Sequence, residues 1–453
     1  MLDGRPNFLI FLTDDQGYGD LSCMGATDFR TPNLDRMAAE GVRFTDWYSN
    51  SPVCSPSRAA LLTGRYPGNA GIRGVLRGGR ETAGLRQSAT TIATMLGSAG
   101  YETAMAGKWH LGLTEHARPS HHGFNDSFGF LAGTIDYYSH IFFYSANQPP
   151  SPNPTHDLWE NDEEVWHNGE YFTELITDKA IEYMRKMHAS GNPFLLYVPF
   201  NAPHYPMHAP EEYVDRFPDL PWDRQMMAAM ISSVDDAIGK ILNEVDRLGV
   251  GDNTMSVFMS DNGPSRESRN WLDGTLDPYY GGTVGRLKGH KGSLYEGGIR
   301  LPGIIRWPER VDGGVVTDQP GVAMDIVPTI LEAAGVDSSA HEIDGTSLMT
   351  LLADKAETPE RTIFWEWGEQ TAVRRGKWKL VLEGRLVEHE SPVAAVHLAD
   401  LDSDPSESRN LADSEPEVTA ELKYLAEEWR ATVEKRWLDE FGAPDVAQRR
   451  MPD

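Results

Sequence analysis

Only two cysteines, Cys23 and Cys54, occur among the 453 residues of the chain. So small a number excludes the dense disulfide framework that stabilises many small secreted domains. The two thiols could pair with each other, so the cysteine content leaves the redox compartment open.

Positive charge is also scarce. The chain has 41 Lys and Arg residues against 68 Asp and Glu residues, which gives a formal net charge of −27. An acidic protein of this kind is not expected to bind nucleic acids or anionic membranes over its general surface. A site for an anion therefore has to be built from cationic side chains that cluster locally.

Long apolar runs are absent as well. No segment approaches the ~18 residues that span a membrane, and residues 1–6 lack the features of a secretory signal. We expect a protein that is cytoplasmic as given, or periplasmic or secreted if a leader was removed. The 40% apolar content argues against disorder, although segment 147–154, rich in Pro, Asn and Ser, is typical of a surface loop.

Short apolar runs are what the sequence has instead. Four of them predict buried strands, at 8–12, 101–105, 193–199 and 254–260. Helical patterns separate them at 31–41, 90–100, 173–187, 223–249 and 322–335, with Thr31 or Asn33 as the expected cap of the first. This alternation predicts an α/β protein with helices around a mostly parallel sheet.

The C-terminal part has a different pattern. Alternating residues from 362 onward predict an antiparallel sheet, and segment 415–437 predicts a helix that packs on it. We therefore expect two domains, a catalytic domain over 1–355 and a small C-terminal subdomain over 356–453.

Polar residues follow each of the four predicted strands. They are Asp14 and Asp15, then Lys108 and His110, then His204, and finally Asp261 and Asn262. The carboxyl ends of parallel strands are where α/β sheets bind ligands. The set Asp14, Asp15, Asp261 and Asn262 offers only oxygen donors, which suits Ca²⁺ better than zinc and leaves Mg²⁺ as the competitor.

Cationic and titratable residues complete the expected site. Lys108 and His110 are two residues apart, so an extended segment would point both side chains the same way, where they would clamp an anion beside an acid or base. Segment 285–300 is basic and glycine-rich but lacks the spacing of a nucleotide-binding loop, and it would bring Lys291 over an anion.

Cys54 begins the segment Cys54-Ser-Pro-Ser-Arg58, which is followed by the helix-forming run Ala-Ala-Leu-Leu-Thr. The sequence predicts that Cys54 lies near a helix N-terminus, where negative charge is favoured, and that Arg58 faces an oxyanion. The alternative is a buried, inert cysteine.

Cys54-Ser-Pro-Ser-Arg58 with Leu62-Thr-Gly-Arg65 resembles the modification motif of the sulfatase family, in which the cysteine is oxidised to Cα-formylglycine. The similarity extends along nearly the whole chain, including Gly107 to Gly112, Pro203 to Pro206, Asp261 to Gly263 and Lys291 to Arg300. It implies an alkaline-phosphatase-like fold, with a large mostly parallel sheet between helices and a small antiparallel C-terminal subdomain.

The resemblance also implies roles. Asp14, Asp15, Asp261 and Asn262 would hold calcium, while Lys108, Lys291 and His204 would bind the sulfate ester. Arg58 would hold the formylglycine diol, whose attack on sulfur releases the alcohol, and His204 or Lys291 would protonate the leaving oxygen. His110 would take a proton from the second hydroxyl. A formylglycine-generating enzyme would be a partner, and Cys23 would have no disulfide partner.

The expected activity is hydrolysis of a sulfate monoester, with a sulfated small molecule or saccharide as substrate. Segment 131–140 looks like that of arylsulfatase B type enzymes, which act on sulfated N-acetylgalactosamine, so Asp136, His140 and His208 are candidate rim contacts; alternatively, the segment only packs. A phosphonate monoester or phosphodiester hydrolase of the same superfamily, and a non-catalytic binder of sulfated glycans, remain open. The oligomeric state is not indicated.

Overall fold

The computed structural model describes residues 4–142, 155–266 and 279–441, and the predicted loop at 147–154 lies outside these ranges. A large sheet of 11 strands forms its centre. The strands of the chain, including those of two smaller sheets, are β1 (Asn7–Thr13), β2 (Val42–Tyr48), β3 (Glu102–Lys108), β4 (Asp126–Phe130), β5 (Ile141–Phe142), β6 (Thr155–His156), β7 (Trp159–Glu160), β8 (Glu163–Glu164), β9 (Phe194–Pro199), β10 (Thr254–Ser260), β11 (Arg300–Arg306), β12 (Val315–Thr317), β13 (Gly321–Val322), β14 (Thr362–Trp367), β15 (Gln370–Arg375), β16 (Trp378–Gly384) and β17 (Ala394–Asp400).

The four strands predicted from apolar runs are neighbours at the centre of the large sheet. Its order is β12-β2-β11-β10-β1-β9-β3-β4-β7-β8, with β13 also paired to β2. Strand β1 is parallel to β10 and to β9, and β9 is parallel to β3. Thr13 lies opposite Ser260 in this register. The carboxyl ends of the four strands therefore meet at one edge, as predicted.

The helices are α1 (Pro32–Ala39), α2 (Cys54–Thr63), α3 (Pro67–Ala70), α4 (Ile92–Ser98), α5 (Phe172–Ser190), α6 (Glu211–Val214), α7 (Trp222–Arg247), α8 (Glu296–Ile299), α9 (Ile326–Ala333), α10 (Met349–Leu352) and α11 (Pro416–Phe441), with short 3₁₀ turns at Ser22–Met24, Glu115–Ala117, Pro119–His122 and Ala323–Asp325. Helices α5 and α7 pack together, and α5 also covers β3 and β9. The predicted α/β architecture is confirmed. Within the described ranges, none of the helices has the length and apolar content needed to cross a membrane.

A second sheet, of four antiparallel strands in the order β14-β15-β16-β17, forms the C-terminal part. Val373, Leu380 and Leu398 on its strands pack against Leu422 and Ala426 of α11 in a core of their own. The predicted antiparallel sheet and its helix are present. The domain boundary at residue 355 stays a prediction.

The cap of helix α1 differs from the expectation. Thr31 occupies the N-cap position, but its side chain makes no capping hydrogen bond, and Asn33 lies inside the helix. The carboxylate of Asp235, on α7, instead accepts hydrogen bonds from the backbone N–H groups of Asn33 (3.1 Å) and Leu34 (2.8 Å). The sequence predicted a capping side chain next to helix α1, whereas the carboxylate that caps it lies 202 residues away in the chain.

We expect Asp235→Ala to lower the free energy of unfolding by about 2 kcal/mol, because the first N–H groups of α1 lose their acceptor. The neighbouring Asp236 is a matched control, since it makes a partly exposed ion pair with Arg216 at 3.1 Å, and Asp236→Ala should change stability by less than about 1 kcal/mol. Urea unfolding of both variants measures the difference. Equal losses would show that Asp235 is not the cap on which α1 depends.

Candidate active site

Cys54 is the first residue of helix α2 and is 2% exposed. Burial raises the pKa of its thiol to about 11, although the positive charges of Lys108 and Lys291 act in the opposite direction. The sequence predicted that the helix N-terminus would favour negative charge here, and the removal of the thiol from water outweighs that effect. The thiol is therefore protonated at neutral pH.

Arg58, one turn further along α2, is fully buried against carboxylates. Its Nε and Nη2 atoms donate to Oδ2 of Asp261 at 3.0 and 2.8 Å, and Nη1 donates to the carbonyl of Lys108 at 3.0 Å. Burial opposes the charge, but the carboxylates of Asp261 and Asp14 raise the pKa of Arg58 overall. The guanidinium thus ties α2 to the ends of β3 and β10.

Two lysines reach the carboxylates that follow β1. Nζ of Lys108 lies 2.5 Å from Oδ2 of Asp14, and Nζ of Lys291 lies 2.9 Å from Oδ2 of Asp15. All four side chains are buried. With Arg58 and Asp261, the site holds three cationic and three anionic side chains, which balance one another.

The oxygen atoms of this cluster fit a divalent cation. Within the described residues, Oδ1 of Asp14 and Oδ1 of Asn262 are buried and have no hydrogen-bond partner. Oδ1 of Asp15 accepts a hydrogen bond from Nδ2 of Asn262 at 2.6 Å, and Oδ1 of Asp261 accepts from the backbone N–H of Asp15 at 3.2 Å. A hard cation such as Ca²⁺ binds oxygen ligands, so it would give these two buried oxygens the partner that they lack.

The carboxylates also crowd one another. Burial and the neighbouring charge of Asp14 raise the pKa of Asp261, even though Arg58 and Lys108 lower it. Carboxylates that share a site ionise together only when positive charge lies between them.

His204 lies beside this cluster. Its Nδ1 donates to the carbonyl of Tyr205 at 2.8 Å, so Nε2 presents its lone pair, 3.4 Å from Nζ of Lys291 and 3.6 Å from Oδ2 of Asp15. Ligand atoms of Asp14, Asp15 and His204 lie within 4.8 Å of one another. From this position His204 could bind either a metal ion, with Asp14 and Asp15, or an anion, with Lys291. The preference of Ca²⁺ for oxygen ligands favours the anion.

His110 reaches the site by a turn. Its φ of 55° is left-handed, so the predicted alternation of an extended segment does not continue from Lys108 to His110. Nε2 donates to the carbonyl of Leu76 at 3.0 Å, while the buried Nδ1 has no hydrogen-bond partner among the described residues. Burial and the charge of Lys108 hold the pKa of His110 well below 6.5, and the ring is a neutral base.

The partner of His110 is a connection that sequence reasoning missed. The backbone N–H of Leu76 donates to Oγ of Ser55 at 3.1 Å, next to Cys54. Leu76 therefore links the imidazole to the start of α2. A backbone carbonyl leaves no mark in the sequence, so no residue pattern could have indicated it.

Among the three candidate rim residues, Asp136 and His208 form a partly exposed pair, whereas His140 is buried. Segment 131–140 packs against the His204 loop, since the hydroxyl of Tyr137 donates to the carbonyls of Asn201 and His204 at 3.0 and 2.8 Å. Oδ2 of Asp136 lies 3.3 Å from Nδ1 of His208, whose side chain is 37% exposed. His140 is fully buried, so its predicted place on the rim is wrong.

The structure brings together all ten residues singled out as catalytic or metal-binding. They come from the ends of β1, β3, β9 and β10, from α2, and from the loop before α8. A comparison with protein families identifies the family of the chain: the family model described as Sulfatase matches residues 6–336. The chain belongs to the sulfatase family. It is a sulfuric ester hydrolase, with the alkaline-phosphatase-like fold that this membership implied.

Other comparisons agree. The model described as N-sulphoglucosamine sulphohydrolase, C-terminal, matches residues 289–433 of this sulfatase. The chain is 35% identical to N-acetylgalactosamine-6-sulfatase of Mus musculus over 83% of this chain and 71% of that protein. It is 31% identical to arylsulfatase A of Homo sapiens over 93% of this chain and 87% of that protein. The crystal structure of Ps i-CgsB in complex with k-i-k-neocarrahexaose superposes with a TM-score of 0.82 at 30% identity, covering 94% of this chain and 92% of that one.

The oxygen cluster predicts a divalent-cation site, and a cation that binds the native cluster and not the unfolded chain stabilises the fold; we expect this of calcium. At a hundred times the dissociation constant, the gain is about 2.7 kcal/mol, and magnesium should give less at equal concentration. Thermal unfolding with and without each ion measures it.

Asp14→Asn should abolish the calcium shift if Asp14 is a ligand, since the substitution removes the charge of its carboxylate. Asp126→Asn is the control, because Asp126 pairs with the exposed Lys186 at 2.6 Å, and it should keep the shift. A larger shift with magnesium than with calcium would contradict the assignment of the ion.

Proposed function

We propose that this sulfatase cleaves sulfate monoesters of carbohydrates through a formylglycine made from Cys54, with calcium bound by Asp14, Asp15, Asp261 and Asn262. The observation that carries the proposal is the position of Cys54. It begins α2 beside three buried cations and three buried carboxylates, so a charged ester placed there would meet fixed positive groups on several sides.

The unmodified thiol is a poor candidate for the nucleophile. With a pKa of about 11, less than about one thiol in a thousand is ionised at pH 7. Formylglycine would instead supply a hydrated aldehyde. One hydroxyl would attack sulfur as the S–O bond to the alcohol breaks, and loss of the proton of the second hydroxyl would re-form the aldehyde as the C–O bond to sulfate breaks. A formylglycine-generating enzyme is the maturation partner that this chemistry requires.

Binding of the sulfate group falls to Lys108, Lys291 and His204. Their nitrogen atoms approach the carboxylates of Asp14 and Asp15, so the same ammonium groups can turn their remaining N–H bonds toward an ester oxygen. Calcium, when bound, adds positive charge to a cluster that is otherwise balanced and so favours an anion. Arg58 keeps α2 at a fixed distance from the carboxylates.

Proton transfer uses two imidazoles in different states. The neutral His110 carries its proton on Nε2, bonded to Leu76, so Nδ1 accepts a proton as sulfate departs. His204, with its proton on Nδ1, exchanges a proton through Nε2 with the leaving oxygen, and the ammonium of Lys291 at 3.4 Å is the nearby source.

A sulfated carbohydrate is the proposed substrate class. The relatives include N-acetylgalactosamine-6-sulfatases, and the similar crystal structure holds k-i-k-neocarrahexaose. In this chain, Asp136 and the partly exposed His208 form a polar pair, and His208 is four residues beyond His204 in sequence. Such a pair can hydrogen-bond sugar hydroxyl groups beside the sulfate.

We expect Cys54→Ala to abolish hydrolysis of an aryl sulfate, because the nucleophile can no longer be formed. Cys23→Ala is the matched control, since Cys23 is the other free cysteine and lies outside the site, and it should retain activity. Mass spectrometry of the Cys54 peptide should show formylglycine in active protein. Full activity with an unmodified thiol would refute the mechanism.

We expect a higher kcat/KM on the sulfate ester of an N-acetylhexosamine than on its phosphate ester, by at least about tenfold. A phosphate monoester carries nearly two charges at pH 7, and the removal of a dianion from water into a buried site costs more. Steady-state kinetics on the matched pair measures this ratio. A faster phosphate reaction would favour the phosphonate or phosphodiester hydrolase, and binding without sulfate release would favour the glycan binder.

A further inference from the structure

Lys291 differs from the other cations of the site in what supports it. Arg58 lies in helix α2, and Lys108 is the last residue of strand β3. Lys291 belongs to an irregular segment before α8, between strands β10 and β11 of the large sheet in chain order. The position of its ammonium therefore depends on whatever fixes this segment.

The catalytic side of the molecule holds the segment through two backbone amides. The N–H of Lys291 donates to the carbonyl of Pro264 at 3.1 Å, and the N–H of Gly292 donates to the carbonyl of Pro52 at 3.0 Å. Pro264 follows the metal ligand Asn262 closely in sequence, and Pro52 precedes Cys54. These two bonds set the distance of Lys291 from both groups.

The C-terminal part holds the same segment from the opposite side. Each residue from 290 to 294 makes a hydrogen bond to it: His290 N to Leu386 O at 2.9 Å, Glu388 N to Lys291 O at 3.1 Å, Gln370 Nε2 to Gly292 O at 2.8 Å, Ser293 Oγ to Arg385 O at 2.6 Å, and Leu294 N to Gln370 Oε1 at 3.4 Å. The segment is thus clamped between two parts of the chain.

Gln370 is the side chain at the centre of this clamp. It begins strand β15 and is 1% exposed. Its Nε2 donates to Gly292, and its Oε1 accepts from the backbone N–H groups of Leu294 and Arg385, the latter at 3.0 Å. Because this buried amide bonds two backbone groups of the Lys291 segment, its replacement leaves them without these partners.

A second contact fixes the far end of the segment. The backbone N–H of Glu296, at the start of α8, donates to Oε2 of Glu407 at 2.7 Å, and Nζ of Lys379 donates to Oε1 of Glu296 at 2.8 Å. Lys379 and Glu407 both belong to the C-terminal part and are fully buried. Residues 290–296 are therefore held by it along their whole length.

We infer that the C-terminal sheet positions the Lys291 ammonium over the sulfate site and that Gln370 is the positioning residue through which it does so. This inference rests on the proposed function, in which Lys291 binds the sulfate group. Gln370 itself touches neither substrate nor metal. It acts by holding the backbone that directly follows Lys291, at Gly292 and Leu294, in register with Cys54.

The test is a double-mutant cycle read by sulfate binding, which needs no turnover. Isothermal titration of inorganic sulfate into the calcium-loaded protein is compared for the wild type, Gln370→Met, Lys291→Ala and the double variant. Gln370→Met should weaken sulfate binding about tenfold in the wild-type background and should have no further effect once Lys291 is removed. An equal loss in both backgrounds would overturn the inference.

Two further variants separate positioning from general stability. Gln319→Met breaks a similar link, since Oε1 of Gln319 accepts from the N–H and hydroxyl of Thr358 at 2.7 and 2.8 Å, and it should leave sulfate affinity within about twofold. If thermal unfolding shows that Gln370→Met is not folded, Ser293→Ala, which removes the bond to Arg385, should give a smaller loss that also vanishes without Lys291.

The outcomes distinguish this inference from the proposed function. If no sulfate ester is hydrolysed while sulfate binding still depends jointly on Gln370 and Lys291, the catalytic proposal fails and the positioning role stands. If Lys291→Ala leaves sulfate affinity unchanged, Lys291 does not bind sulfate and both fail. If Lys291→Ala weakens binding but Gln370→Met does not, only the positioning role is refuted.

Discussion

The buried ion pairs around Cys54 are the interaction on which the site and much of the surrounding fold depend. Lys108 with Asp14 joins β3 to β1, Arg58 with Asp261 joins α2 to β10, and Lys291 with Asp15 joins the segment before α8 to β1. Loss of one partner from such a pair costs about 3–5 kcal/mol, because the other charge is left buried and unpaired. Groups that serve the chemistry are therefore also structural, and a variant at one of them changes folding and activity together.

The same balance explains why the two histidines differ in behaviour. Burial and the nearby charges of Lys108 and Arg58 keep His110 neutral, and its ring bonds the carbonyl of Leu76. His204 lies between the ammonium of Lys291 and the carboxylate of Asp15, so charge of both signs meets at its Nε2. In the proposed mechanism, the first imidazole accepts a proton and the second can pass one in either direction.

Much of this arrangement could be predicted from the sequence because it follows from local patterns. Apolar runs predicted strands β1, β3, β9 and β10. The polar residues after these strands predicted the site, since the carboxyl ends of parallel strands meet at one edge of the sheet. The rest depends on contacts between distant residues. Asp235 caps α1 from α7, and Gln370 supports Lys291 from another sheet. His140 was predicted on the rim because segment 131–140 resembles that of arylsulfatase B type enzymes, but the side chain is buried. No short pattern contains such information.

The order of the site residues along the chain has a consequence for biosynthesis. In the finished fold, the surroundings of Cys54 include residues far along the chain, since the backbone N–H of Gly292 donates to the carbonyl of Pro52. At about 5–20 residues per second, the ~240 residues between Cys54 and Lys291 take roughly 12–50 s to synthesise. During that interval Cys54 belongs to a chain that lacks these neighbours, whereas in the completed fold it is 2% exposed. The order of the site residues along the chain therefore separates the synthesis of Cys54 from that of the residues that later surround it.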